Sequence, residues 1–178
     1  MTGSVVDFFW GNYQPFDKNA TEIFGDKIPI YYLHGAVHLK TDLIGRSMKS
    51  SVILDSVKEF YSDIRFGEFP LFISEGNSDM KRQKIEENSY LRFCYENLMC
   101  LDGNLVVFGH ALSGEYDKHI VEAIKSSSVE GVAISVFSDL SEAKKMSFVA
   151  RIIEDFDGSN KSIRFYESSS HPFGNIRS

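Results

Sequence analysis

"LVVFGHALSGEYDKHI", residues 105–120, decides how the chain is read. An apolar run of β-branched and aromatic side chains, Leu105 to Phe108, stops at Gly109-His110, and a helix-compatible stretch follows within a few residues. A short apolar run closed by glycine and followed by a helix is the repeating unit of a parallel sheet covered by helices.

The same unit recurs on both sides of it. "IPIYYLHG" (28–35), "PLFISEG" (70–76), "NLVVFGH" (104–110), "GVAISVFSD" (131–139) and "SIRFYES" (162–168) read as five strands. Between them, Ser51 to Ile64 has apolar residues near helical spacing. Residues 79–100 show it more clearly, with Ile85, Tyr90, Leu91, Cys94, Leu98 and Leu101 as a buried stripe. Glu115 to Ser126 carries Ile120, Val121 and Ile124; Leu140 to Phe156 carries Ala143, Met146, Val149, Ile152 and Ile153. Right-handed crossovers through these helices would keep the strands parallel. The expected fold is therefore α/β: a three-layer, Rossmann-like, mostly parallel sheet with helices on both faces. Residues 1–27 read as an aromatic-rich, packed loop segment, 28–168 as the Rossmann-like domain and 169–178 as a polar, frayed tail. Ile30, Tyr32, Leu71, Ile73, Val106, Val107, Phe108, Val132, Ile134 and Val136 should be buried in the sheet.

A chain of 178 residues, 43% hydrophobic and 25% charged, is in the range of one globular domain. The net charge of -6, with no Lys/Arg run, argues against a nucleic-acid partner, because phosphate contacts need concentrated positive charge. Cys94 and Cys100 stand at neither three- nor four-residue spacing in a helical stretch, so they do not face each other and read as small buried hydrophobes. That usage fits a reducing cytoplasm. The opening MTGSVVDFFWGN lacks the basic start and apolar core of a signal peptide, and no run reaches the roughly 20 apolar residues of a membrane span.

In a parallel sheet the residues following each strand converge on one edge, where ligands of open α/β folds bind. Here these are His34-Gly35, Ser74-Glu75-Gly76, Gly109-His110 and Ser138-Asp139. Glycine lets the backbone turn sharply and approach a ligand, and a helix N-terminus offers free N–H groups to an anion. The same residue types also serve turning and capping alone. An imidazole at a sheet edge can act as a base near neutral pH, which singles out His34. His38, four residues on, would complete a metal pair if that stretch were helical. In "SEGNSDMKRQKIEENSYL", Glu75 could accept hydrogen bonds from ribose. Lys81, Arg82 and Lys84 could meet a phosphate or form a solvated face with Glu86 and Glu87.

Three blocks, "YYLHGAVHL" (31–39), "PLFISEGNSDMKRQKIEENSYL" (70–91) and "LVVFGHALSGEYDKHIVEAI" (105–124), resemble in that order the C-terminal half of a bacterial family of unknown function in the sirtuin-like superfamily. The resemblance runs from about Phe8 to Phe137. It implies an NAD site in which His34 assists attack at the nicotinamide ribose. Gly35, Ser74, Glu75, Gly76, Gly109, His110, Leu112, Ser113 and Asp117 would contact the nucleotide. Ala111 stands where such proteins have a serine, so that hydroxyl contact would be missing or supplied by Ser113. Asp117 matches the acidic position after this turn in sirtuin-like defence proteins. The glycine-rich N-terminal segment that binds the pyrophosphate has no counterpart before Ile28. The chain is thus expected to keep one wall of the pocket and to be inactive alone, with NAD hydrolysis of the phage-defence kind belonging to a complete protein. No set of four zinc-ligand cysteines is present, and no metal is expected.

Two readings of other classes stand beside this one. The first is a non-catalytic binding or assembly domain, a homo-oligomer or one whose missing N-terminal strands come from a partner, docking on the edge near Ile28 to Leu33. The second is a metal-dependent hydrolase using His34, His38, His110 and His119. Neither implies a membrane or nucleic-acid partner.

Overall fold

A computed structural model describes residues 4–9, 14–24, 27–50 and 64–175. The helix expected over Ser51 to Ile64 lies outside these, apart from Ile64 itself. The chain divides into two compact units, residues 1–96 and 97–178. Both combine strands with helices, giving a mixed α/β protein without a closed barrel.

In the first unit, β1 (Val5–Val6) pairs in parallel with β2 (Ile28–Pro29) over two residues only. The expected strand 28–35 therefore ends at Pro29. The aromatic run after it is drawn into a ring cluster: Tyr31 stacks on Phe8 at 5.2 Å, and Phe8 meets Phe93 edge-on at 5.0 Å. Phe9 and Phe16 close on Tyr90 at 4.7 and 5.1 Å. Phe8, Phe9 and Phe16 of the aromatic-rich opening pack in this cluster, since such rings gain most by burying their faces together.

Next come β3 (Gly35–Asp42), β4 (Ser47–Lys49) and β5 (Glu68–Phe72). β3 lies between the other two and is antiparallel to both. This corrects the parallel expectation for the first unit: "HGAVH" opens a strand where the sequence suggested that one ended. Lys40 is fully buried in β3 and is paired with Glu68 of β5 at 2.8 Å.

The single helix expected over 79–100 is two, α1 (Ser78–Glu87) and α2 (Ser89–Met99). Asn88 makes the break. Its Oδ1 accepts the Tyr90 and Leu91 N–H groups at 3.1 Å each, as a helix N-cap does, and also the Ser47 hydroxyl at 3.0 Å. Ile85, Tyr90, Leu91 and Cys94 of the expected stripe are buried. Cys94 and Cys100 are both free thiols, but Cys100 is exposed beyond the end of α2, contrary to the expectation for it.

The second unit bears out the parallel reading. β6 (Asp102–Val107), β7 (Ser128–Val136) and β8 (Ser162–Glu167) pair in parallel in that order, joined through α3 (Lys118–Ser126) and α4 (Glu142–Asp155). Two right-handed crossovers stepping the same way place both helices on one face of the sheet. Burial follows: Val132, Ile134 and Val136 are at most 6% exposed, whereas Val106 on the other face is 56% exposed. The expectation of helices on both faces therefore does not hold here, and with it falls the predicted burial of Val106 and Phe108. The face carrying Asn104, Val106, Gly131, Ala133 and Arg164 forms an open trough of about 530 Å³. In α3, Ile120, Val121 and Ile124 are buried as expected. In α4 the buried stripe runs through Ile152 to Phe156, while Met146 and Ile153 point outward, a phase error of about one residue. No described helix is long and apolar enough to cross a membrane.

Candidate functional site

The carboxyl ends of β6, β7 and β8 enclose a cavity of about 280 Å³ lined by Gly109, His110, Ala111, Ser135, Phe137, Leu140, Phe148 and Ser168. This is the edge at which ligands of open parallel sheets bind, and the volume is near the lower end of the roughly 300–1,000 Å³ typical of small-molecule sites. Its walls are mostly apolar, with an imidazole and two hydroxyls as orienting polar groups.

The turn after β6 is built by side chains from several elements. Gly109 has φ +68° and donates its N–H to Ser135 Oγ of β7 at 3.0 Å. His110 is exposed, and its Nδ1 accepts the Leu112 N–H at 3.0 Å, which leaves the neutral ring's proton on Nε2. Leu112 is buried with φ +45°, a left-handed conformation that is uncommon outside glycine. Asp117 stands just before α3, but its carboxylate reaches back to accept the Ser113 N–H at 3.0 Å. At the cavity's other side, the Ser138 N–H donates to Ser168 Oγ at 3.1 Å, and the Ser169 N–H donates to Ser138 Oγ at 3.0 Å. After β8, short 3-10 turns follow at Ser168–Ser170 and Pro172–Asn175, and His171 stacks on Phe108 at 4.6 Å.

Of the residues nominated from sequence, Gly109 and His110 line this cavity, with Leu112, Ser113 and Asp117 in the turn that carries them. The others are in the first unit. His34 and Ser74-Glu75-Gly76 are brought together there by antiparallel pairing, since the Ile73 N–H donates to the His34 carbonyl at 2.8 Å. Gly35, at φ +77°, has a structural reason: a methyl there would overlap the Leu71 carbonyl of the adjacent β5. Glu75 is exposed. Arg82 pairs with Glu86 at 2.6 Å, as the solvated-face reading has it, and also donates to Oη of the buried Tyr95 at 2.6 Å.

His38 lies on β3, and extended backbone carries residues four apart to about 13 Å, so "HGAVH" is not the helical metal pair. Among the described residues no group of three or more His, Cys, Asp or Glu could hold a metal ion. His38 is half-buried and its pKa lies below the ordinary 6.5, lowered by burial and by Lys49 against an opposing pull from Asp7. The Cys94 thiol is pushed up to about 12, burial outweighing hydrogen bonds, so it is inert as a nucleophile.

Sequence reasoning missed Ser135, Phe137, Leu140, Phe148 and Ser168. Ser135 left a trace, a lone hydroxyl near the end of the apolar run of β7. Phe148 lay one position off the stripe assigned to α4.

No curated protein and no solved structure matches the chain. Residues 2–173 match the model of DUF4917, a domain of unknown function, and the chain therefore belongs to that family.

Proposed function

We propose that this domain binds NAD or a related nucleotide in the cavity at the carboxyl edge of its parallel sheet. The observation that carries the reading is the cavity itself: three parallel strand ends, a glycine turn, the His110 imidazole and the Ser135 and Ser168 hydroxyls around one apolar-walled space. Phe137 and Phe148 offer apolar surface for a heterocycle, while the hydroxyls and His110 Nε2–H offer hydrogen bonds that would fix its orientation. At about 280 Å³ the cavity holds part of a dinucleotide, with the remainder outside it. Calorimetric titration of NAD into the chain tests binding. Saturable binding weakened by His110→Ala supports the reading, and its absence in a folded sample removes it.

The exposed sheet face around Val106, with Ile28 at 55% and Ile30 at 40% exposed in the first unit, favours the second reading, an assembly domain. Sedimentation equilibrium tests it, because a chain that stays monomeric at high concentration gives no support to self-association.

A further inference from the structure

Arg151 of α4 does more than pair with Asp155 one helical turn on. Its Nη1 donates to the Leu112 carbonyl at 2.5 Å and to Asp155 Oδ2 at 2.8 Å, and its Nη2 donates to the Ala111 carbonyl at 2.6 Å. Its guanidinium carbon also lies 5.3 Å from the centre of the Phe148 ring. Ala111 and Phe148 both line the cavity, and this one side chain touches both.

We infer that Arg151 is the positioning residue of the pocket, holding the Gly109–Ser113 turn in the one conformation that presents His110. This rests on reading the cavity as a binding site. Leu112 is held at φ +45°, where a glycine would turn without strain, and a non-glycine residue persists there only where surrounding contacts over-determine the backbone. Those contacts are named: Ser135 takes the Gly109 N–H, His110 the Leu112 N–H, Asp117 the Ser113 N–H, and Arg151 both intervening carbonyls. The planar guanidinium reaches both carbonyls and Asp155 from two nitrogens held in one rigid plane, a geometry that the one nitrogen of a lysine does not reproduce. Because Leu112 N–H fixes the tautomer of His110, the fork on its carbonyl acts on the imidazole at one remove.

The test is NMR on the full chain carrying Arg151→Gln, Arg151→Lys or Asp155→Asn, with NAD titrated into each. Arg151→Gln should speed amide exchange of Leu112 and Ser113 by about tenfold or more, since hydrogen bonds to a charged donor are lost locally. The ring nitrogens of His110 should lose their single-tautomer signature, while β7 amides keep their protection. Arg151→Lys should not restore either signal. Asp155→Asn, which leaves the carbonyl contacts in place, should give a smaller rise and keeps the test open if Arg151→Gln does not fold. Unchanged exchange and tautomer in a folded Arg151→Gln, or in Asp155→Asn if only that folds, overturns the inference, as does full rescue by lysine. A loosened turn with weaker NAD binding supports it, and a loosened turn with unaltered NAD affinity overturns it. If NAD does not bind the unsubstituted chain, the nucleotide reading fails, while the exchange data still decide whether Arg151 holds the turn.

Discussion

His34-Gly35 and Gly109-His110 look alike in the sequence, each an imidazole beside a glycine at the margin of an apolar run. In the structure their glycines answer to different demands. Gly35 begins a strand, and its missing side chain lets the β5 backbone come within hydrogen-bonding distance. Gly109 follows a strand and has nothing within 4 Å of where a Cβ would sit. A glycine at a strand margin therefore records a backbone constraint, and only its surroundings say whether the space belongs to a neighbouring strand or stays open to a ligand.

The difference can be broken by substitution. Gly35→Ala should destabilise the chain by about 4 kcal/mol or more, since steric overlap with a backbone carbonyl adds to the strain of positive φ. Gly109→Ala should cost only about 1–2 kcal/mol, the strain alone. Equal losses in urea denaturation would erase the distinction.

A buried ion pair in the antiparallel sheet comes next. Burial raises the Glu68 carboxyl, but hydrogen bonds from Lys40 and the Arg65 N–H, with both positive charges, outweigh it and hold the pKa below the usual 4.5. Glu68→Gln removes this carboxylate from buried Lys40 and should cost about 3 kcal/mol. A loss under about 1 kcal/mol would mean that the pair contributes no more than an exposed one.

Within the parallel sheet the contrast lies between two faces. Ile134→Ala on the covered face should cost about 3 kcal/mol, and Val106→Ala on the bare face less than about 0.5. A large cost at Val106 would show that the bare face is covered in solution, and would sharpen the assembly reading.

These sites also show what the sequence could tell. Residues 102–167 were legible because β-branched runs alternating with amphipathic helices admit few topologies, and β6, β7, α3 and β8 lie close to their expected places. Strand direction in residues 35–72 was not legible. β3 (GAVHLKTD) carries no apolar run to mark it as a strand, β5 overlaps an apolar run as a parallel strand would, and the segment between β4 and β5 was read as a crossover helix. The one-sided cover of the second sheet follows from strand order, which no local pattern encodes. In the site, Gly109 and His110 were legible from turn chemistry. Ser168 and Phe148 were not, because they reach the cavity through tertiary packing.

The smallest effect joins the two units in one measurement. His38 lies among Lys49, Asp7 and Tyr32, its ring edge-on to Tyr32 at 5.0 Å, and the Asp7–Lys49 pair closes at 2.5 Å. Its depressed pKa means that the unfolded chain takes up a proton more readily than the folded one. The stability it contributes is therefore present above pH 6.5 and lost as pH falls through the folded value. Glu68, also depressed, keeps its contribution above pH 4.5 and loses it as pH falls through its own lower value. Both groups are in the first unit. Acidification should thus raise amide exchange in β3 in two stages, first near and below pH 6 and again below about pH 4, before β7 responds. Lys49→Gln should move the His38 midpoint up and Asp7→Asn should move it down. If β3 and β7 lose protection together, the two sheets share one cooperative unit, and the difference between the His-Gly pairs reflects local packing rather than separate stability.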